Sequence, residues 1–140
     1  MTYDPTNIFA KILRGDIPCT KVFEDDVALA FMDIMPRADG HTLVIPKIAA
    51  RGLLDMPTHA LGPFMERVQK VAQAVKTGMQ AEGLTIQQFN ESAGGQVVFH
   101  LHVHILPRWS DVPLRPHTGT MADQSILTMS ADKILSLIHI

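Results

Sequence analysis

The segment Phe99–Leu106 constrains the fold most, because apolar and polar residues alternate along it from Phe99 to Ile105. The polar members are His100, His102 and His104, and the apolar members between them are Leu101, Val103 and Ile105. Side chains alternate across a β-strand, so the pattern predicts one imidazole face and one apolar face. We predict a long strand over residues 97–106, ended by Pro107 and anchored on the core by its apolar face.

A long amphipathic helix is the second strong prediction. Apolar residues recur at helical spacing, with charged residues opposite: Leu61, Phe64, Met65, Val68, Val71, Ala72, Val75 and Met79. The helix is expected to start between Pro57 and Pro63 and to stop near Gly83.

Shorter elements complete an α+β fold, with a mostly antiparallel sheet, one main helix and short terminal helices. Thr6 or Asn7 is expected to cap a first helix that ends near Gly15, and Ser130–Ile138 is expected to form a closing helix. The remaining predicted strands are Lys21–Glu24 and Val27–Phe31, joined by a tight turn at Asp25-Asp26, then Thr42–Ile45 and Leu84–Asn90.

Length, charge and cysteine content limit the class of protein. A chain of 140 residues fits one domain over 1–140, and a hydrophobic fraction of 46% fits a compact globule. The net charge of -2 comes without a basic stripe, which argues against nucleic acid as a partner. A lone Cys19, no signal-peptide pattern and no run of 18 apolar residues predict a cytoplasmic protein without a membrane span.

Three imidazoles on one strand face are an unusual way to fill a surface. With an ordinary pKa near 6.5, roughly three quarters of such rings are neutral at pH 7 and able to act as nucleophiles. Zinc binding is an alternative, because histidines two apart on a strand can be ligands, and packing is another. The isolated histidines His59, His117 and His139 are interpreted as half-buried packing residues.

The chain resembles the histidine triad family, whose signature is His-φ-His-φ-His-φ-φ with φ apolar. Residues 100–106 fill every position of that signature. Further segments also resemble the family: Ile8–Ile12, Gly15–Pro18, Phe23–Asp26, Ala30–Ile34, Gly40–Lys47, Asn90-Glu91 and Gly94–Gln96.

The resemblance implies hydrolysis of purine nucleoside monophosphate conjugates at the α-phosphorus. His102 would be the nucleophile that forms a nucleotidyl-histidine intermediate, with its other ring nitrogen bonded to a backbone carbonyl. His104 would steady charge on the phosphate side, and His100 and His41 would form a supporting hydrogen-bonded pair.

The resemblance also implies a set of nucleotide-binding residues. Asp33 would bind the ribose hydroxyls, and the phosphate would meet Asn90 and the backbone N–H groups of Gly95, Gln96 and Val97. The base pocket would comprise Phe9, Phe31, Ile34 and Leu43. Plain core packing remains the alternative for these apolar residues, and an ordinary turn remains the alternative for Asp33 and Asn90.

Two positions depart from the family pattern. Many members hold structural zinc with a Cys-x-x-Cys pair, but Asn7 and Ala10 occupy those positions, so we expect no metal and no cofactor. Val97 stands where a serine or threonine is usual, and valine cannot donate a proton to a leaving amine. The leaving group, amine or polyphosphate, stays open.

The expected partners are a small-molecule nucleotide and a second copy of the chain, joined sheet to sheet as a homodimer. Two rival functions remain: a nucleotide-binding module without turnover and a zinc-dependent hydrolase.

Overall fold

A computed structural model of the chain describes residues 2–116 and 119–138. Within them, five strands form one antiparallel sheet in the order β1-β2-β3-β5-β4, which confirms the α+β class. The strands are β1 (Lys21–Glu24), β2 (Ala28–Met32), β3 (Thr42–Pro46), β4 (Gly83–Gln87) and β5 (Val103–Arg108). The helices are α1 (Ile8–Leu13), α2 (Thr58–Gly78) and α3 (Gln124–Leu135), with short 3₁₀ turns at Leu53–Asp55 and Ser92–Gly94.

The two faces of the sheet carry different apolar clusters. Helices α2 and α3 cover one face, where Phe64, Val71 and Ile134 are almost completely buried. The opposite face carries a smaller cluster, which comprises Phe9 of α1 and Leu29, Phe31, Leu43 and Ile45 of strands β2 and β3. Because successive side chains of β2 and β3 point to opposite faces of the sheet, each strand contributes residues to both clusters.

The predicted strand over 97–106 is wrong in its first half, because β5 begins only at Val103. Residues 97–102 run as an irregular segment, in which the N–H of Leu101 donates to the carbonyl of Ala50. Pro107 does not end β5, which continues to Arg108. The proline is tolerated because β3 pairs with β5 only as far as Ile105. No hydrogen bond to β3 is therefore lost through the missing backbone N–H of residue 107.

Helix α2 is confirmed in type, but its end was placed too late. The helix begins at Thr58 and ends at Gly78, and Gly83 opens β4 instead. Gln80, with φ 51°, turns the chain out of the helix between these two glycines. Pro63 lies inside α2, and His59 on its first turn is exposed rather than half-buried packing.

The first helix is confirmed as predicted, whereas the closing helix is shifted. Asn7 caps α1, and its side chain accepts from the N–H of Ala10. Helix α3 begins at Gln124, six residues earlier than predicted, because Leu127, Ala131 and Ile134 bury a helical stripe against the core. His117 and His139 lie outside the described residues. None of the described helices has the length and apolarity needed to cross a lipid bilayer.

Candidate active site

The ring of His102 is held by its own chain. Its Nδ1 lies 2.6 Å from the carbonyl oxygen of His100, and a carbonyl can only accept, so Nδ1 carries the hydrogen. In the neutral ring, Nε2 then keeps an unprotonated lone pair. Burial lowers the pKa of His102, which favours this neutral form at physiological pH.

His100 is fixed at both ring nitrogens. Its Nε2 donates to the carbonyl of Pro46 at 2.9 Å, so Nδ1 is the acceptor and receives the hydroxyl hydrogen of Tyr3 at 2.6 Å. Burial lowers the pKa of His100 as well. The contact with Tyr3 joins residues 97 apart in sequence, and no pattern in the chain indicates it.

His41 pairs with His104, not with His100 as the family resemblance implied. The Nδ1 of His41 accepts the backbone N–H of Arg37 at 3.1 Å, so its Nε2 donates to Nδ1 of His104 at 2.9 Å. The neutral His104 ring therefore carries its hydrogen on Nε2. The reason is positional: β3 and β5 are neighbours, and His41 immediately precedes β3.

The cluster of imidazoles borders the smaller apolar cluster. The rings of His102 and His104 lie 5.0 Å apart between centroids, and Phe9 meets His102 edge-on at 4.9 Å. Phe31, Leu43 and His104 form one cross-strand row on the same sheet face. An apolar wall thus stands beside the reactive ring.

Three of the four predicted base-pocket residues lie in this wall. Phe9, Phe31 and Leu43 are buried in one cluster, and the Phe9 ring contacts Phe31 edge-on at 5.5 Å. Ile34 is different, because it lies in the loop after β2 with 48% of its surface exposed. The exposed side chain of Ile34 directly follows Asp33 in the sequence.

Asp33 lies close to the His41–His104 pair. Its Oδ2 is 3.5 Å from Nε2 of His41, and its Oδ1 accepts the backbone N–H of Met35. Each of the three residues offers a possible metal ligand atom, and these atoms lie within 4.8 Å of one another. The carboxylate comes close to His104 because the loop after β2 folds back onto β3, where the N–H of Asp33 donates to the carbonyl of His41.

The 3₁₀ turn Ser92–Gly94 and its flanks form a braced loop. Gln96 is buried, and its side-chain oxygen accepts the N–H of Glu91 while its amide donates to the carbonyls of Arg51 and Val98. Gly95 has φ 100°, a left-handed conformation that favours glycine.

Most polar groups expected to meet phosphate in this loop are bonded within the protein. The N–H of Gly95 donates to the carbonyl of Ser92, and the N–H of Gln96 donates to that of Glu91. Asn90 accepts the N–H of Leu53 and exchanges amide hydrogen bonds with Gln88. Among the described residues, nothing accepts from the backbone N–H of Val97.

Arg51 braces the same loop from the segment before α2 and was not found from the sequence. Its guanidinium forms a two-pronged ion pair with Glu91 at 2.9 and 3.0 Å and lies over the ring of Phe99. One further donor reaches the carbonyl of Thr2. Because Arg51 and Glu91 lie 40 residues apart in the sequence, no local sequence pattern indicates this ion pair.

Val97 is 82% exposed, so it does not pack against the core. At the positions of the family's zinc-binding cysteine pair, the side chain of Asn7 caps α1 and Ala10 is buried and apolar.

Comparison with known proteins identifies the family. The family model "HIT domain" matches residues 14–111. The chain is 34% identical over 117 residues to adenylylsulfatase HINT3 of Arabidopsis thaliana, covering 79% of this chain but only 59% of that protein. It is 35% identical over 119 residues to adenosine 5'-monophosphoramidase hnt1 of Schizosaccharomyces pombe, covering 78% and 86%.

A solved structure of a Hit-like protein from Bartonella henselae superposes with a TM-score of 0.93 and 50% identity. That superposition covers 98% of this chain and 99% of the other.

Proposed function

Because the chain belongs to the histidine triad family, we propose that it hydrolyses purine nucleoside monophosphate conjugates through a nucleotidyl-histidine intermediate on His102. The observation that carries this proposal is the bond from Nδ1 of His102 to the His100 carbonyl. It orients a buried, neutral imidazole with its Nε2 lone pair unprotonated. A nucleophile of this kind needs no separate base to activate it.

In the first step, Nε2 of His102 attacks the α-phosphorus and the bond from phosphorus to the leaving group breaks. The leaving group departs with the bonding electron pair. Nε2–H of His104, oriented by His41 at Nδ1, donates to a phosphoryl oxygen as charge develops there. In the second step, water attacks phosphorus and releases one proton to solvent, the nitrogen–phosphorus bond returns its electrons to Nε2, and the nucleoside monophosphate is released.

The binding roles follow from where the side chains lie. The wall of Phe9, Phe31 and Leu43 offers flat apolar contact to a purine, and Ile34 can cover the base from the loop. Asp33 supplies carboxylate oxygens for the ribose hydroxyls.

On the phosphate side, the Val97 N–H is the backbone donor best suited to a phosphate oxygen. Asn90 and Gln96 serve mainly to hold the loop in shape, since their side chains are bonded within it. Gly95 supplies the left-handed turn that brings Val97 into place.

The leaving group is proposed to be one that departs without a donated proton, such as a polyphosphate. The relatives' names include both an adenylylsulfatase, whose leaving group is sulfate, and a phosphoramidase, whose leaving group is an amine. An exposed Val97 has no hydroxyl to protonate an amine, which favours the former type.

The test is mass spectrometry of protein quenched during turnover of a dinucleoside polyphosphate. We expect a mass increase equal to one nucleoside monophosphate on the peptide that carries His102. Turnover without any adduct, under conditions that trap phosphohistidine in a control protein, would contradict the proposed intermediate. Nucleotide binding without turnover would instead support a binding module.

A zinc-dependent hydrolase is the second candidate, favoured by the cluster of Asp33, His41 and His104. The two imidazole nitrogens are 2.9 Å apart, whereas ligands of tetrahedral zinc with bonds of about 2.0–2.1 Å lie about 3.3 Å apart. A metal would therefore replace the hydrogen bond and spread the rings. Extensive chelation should leave turnover intact, and loss of turnover restored by zinc would favour this candidate.

We also propose a homodimer, because β4 is an edge strand of the sheet with Ile86 47% exposed. Light scattering at micromolar concentration should give twice the 15.4 kDa of one chain.

A further inference from the structure

The N-terminal segment reaches the histidine cluster through Tyr3. The Tyr3 hydroxyl lies 2.6 Å from Nδ1 of His100, and the two rings meet edge-on with centroids 5.6 Å apart. Because Nε2 of His100 already donates to Pro46, Nδ1 of the neutral ring can only accept, and the hydroxyl then donates to it. The segment is held a second time where Arg51 donates to the carbonyl of Thr2.

His100 transmits this contact to the proposed nucleophile. Tyr3 holds the ring of His100, and the backbone carbonyl of His100 accepts Nδ1–H of His102 at 2.6 Å. A rotation of His100 would move that carbonyl and break its hydrogen bond to Nδ1 of His102. The tautomer of His102 with Nε2 unprotonated would then no longer be favoured. A hydrogen-bonded chain therefore runs from the hydroxyl to the ring that attacks phosphorus.

We propose that Tyr3 is a positioning residue, whose hydroxyl holds His100 neutral and keeps its carbonyl against the His102 ring. This proposal rests on the proposed function of His102 as a nucleophile. The hydroxyl of Tyr3 bonds to His100 and not to the ring of His102, whose Nδ1 is taken by the His100 carbonyl. Its effect on turnover is exerted entirely through His100.

The charges around His100 set the direction of the expected effect. Burial lowers its pKa and the neighbouring His102 lowers it further, while the Pro46 carbonyl and Asp55 of the first 3₁₀ turn raise it. Only the neutral ring can accept the Tyr3 hydrogen, so loss of the hydroxyl raises the pKa of His100. His100 then gains a proton at higher pH, and a positive charge beside His102 weakens its lone pair as a nucleophile.

The first test is Tyr3→Phe. We expect kcat to fall about 2–12-fold with KM almost unchanged, the range that corresponds to one hydrogen bond of net worth 0.5–1.5 kcal/mol. The acid limb of the kcat profile should move to higher pH. Trp109→Phe is the matched control, since it removes another aromatic donor, the indole N–H bonded to the carbonyl of Gln80, and should move neither quantity.

The second test uses the fact that Tyr3 is the chain's one tyrosine. Biosynthetic replacement by 3-fluorotyrosine alters this hydroxyl alone and makes it a stronger donor. We expect the acid limb to move to lower pH, opposite to Tyr3→Phe. Opposite shifts separate an effect on protonation from a general loosening of the N-terminal segment.

Nitrogen-15 NMR of the His100 ring tests the contact without turnover. We expect the Nε2-protonated tautomer in the wild type and a raised pKa of His100 in Tyr3→Phe. Unchanged ring nitrogen shifts in Tyr3→Phe would overturn the proposal. So would a fall in kcat with no movement of the acid limb, which would mean a purely structural role. An inactive wild type with the expected NMR shifts would instead count against the proposed hydrolase function.

Discussion

The two faces of the sheet differ in what their buried side chains are used for. On the α2 and α3 face, Phe64, Val71 and Ile134 are sealed between helix and sheet. On the other face, a small cluster ends at an imidazole, where the Phe9 ring meets His102. One face therefore holds the fold together, and the other presents an apolar wall to a reactive group.

Strand β5 contributes to both faces within three residues. Val103 and Ile105 point into the larger cluster, while His104 lies in a row with Phe31 and Leu43 on the other side. The larger core thus fixes the strand from which His104 projects. A change on one face should then alter stability, and a change on the other should alter turnover or binding.

The largest expected effect is on the imidazole face. His102→Asn should lower hydrolysis by about 10⁴-fold or more, the scale seen when a catalytic nucleophile is removed, while nucleotide affinity stays within a few-fold. Turnover is measured under single-turnover conditions, and affinity is measured by calorimetry with the nucleoside monophosphate. His59→Asn, on the exposed first turn of α2, is the control and should hydrolyse like the wild type. Near-normal turnover in His102→Asn would remove the nucleophile assignment.

The next effect compares one phenylalanine on each face. Phe64→Ala should cost about 3–5 kcal/mol of unfolding free energy, because Phe64 is 1% exposed in the larger core. Phe9→Ala should cost less stability but raise KM about 5–10-fold, since it removes apolar contact area from the proposed base pocket. Urea unfolding and steady-state kinetics measure the two quantities.

If Phe64→Ala does not fold, Phe64→Leu and Phe9→Leu make the same comparison with smaller changes. Equal losses of stability with equal changes in KM would mean that the two faces are not functionally distinct.

The sequence predicts the larger face better than the imidazole face. Helical spacing from Leu61 to Met79 marks α2 correctly, because burial against a sheet imposes a regular period. The alternation over residues 99–106 finds the histidines but extends the strand too far. His100 and His102 lie before β5, where hydrogen bonds to Pro46 and within the segment replace a ladder.

Long-range contacts at the site leave no local trace in the chain. Tyr3 with His100 and Arg51 with Glu91 each join residues of different segments, so neither spacing nor propensity reveals them. The family resemblance implied that His41 pairs with His100, but His41 pairs with His104. The adjacency of β3 and β5 decides this pairing.

A smaller effect is expected at Val97, in the irregular segment that precedes His100. Val97→Thr keeps the side-chain shape and adds a donor, so it should raise hydrolysis of amine-linked AMP selectively, by up to about 10²-fold. Hydrolysis of polyphosphate-linked AMP should change little, because that leaving group departs as an anion. Val112→Thr is the matched control, as another exposed valine outside the histidine cluster. Equal changes for both substrates would remove Val97 from the specificity argument.

The smallest expected effect is the pH dependence of the free energy of unfolding. It tests the imidazole face through the protonation of its buried histidines. Burial lowers the pKa of both His100 and His102, so the unfolded chain binds more protons than the folded one as pH falls below about 6.5. Stability from these groups is complete above that pH and is lost as pH falls through their lowered values. Each group contributes a slope of at most about 1.4 kcal/mol per pH unit.

The carboxylates whose pKa values are lowered, such as Asp25 and Asp55, act in the same direction but only near their ordinary range around pH 4. Urea unfolding between pH 7.5 and 5 therefore isolates the histidines. His102→Asn removes one buried titrating ring and should flatten the slope, whereas His59→Asn, which replaces an exposed histidine, serves as the control. A wild-type slope in His102→Asn would mean that His102 binds protons equally in the folded and unfolded chain. The buried ring would then not be held neutral by the protein, and the distinction between the two faces would rest on geometry alone.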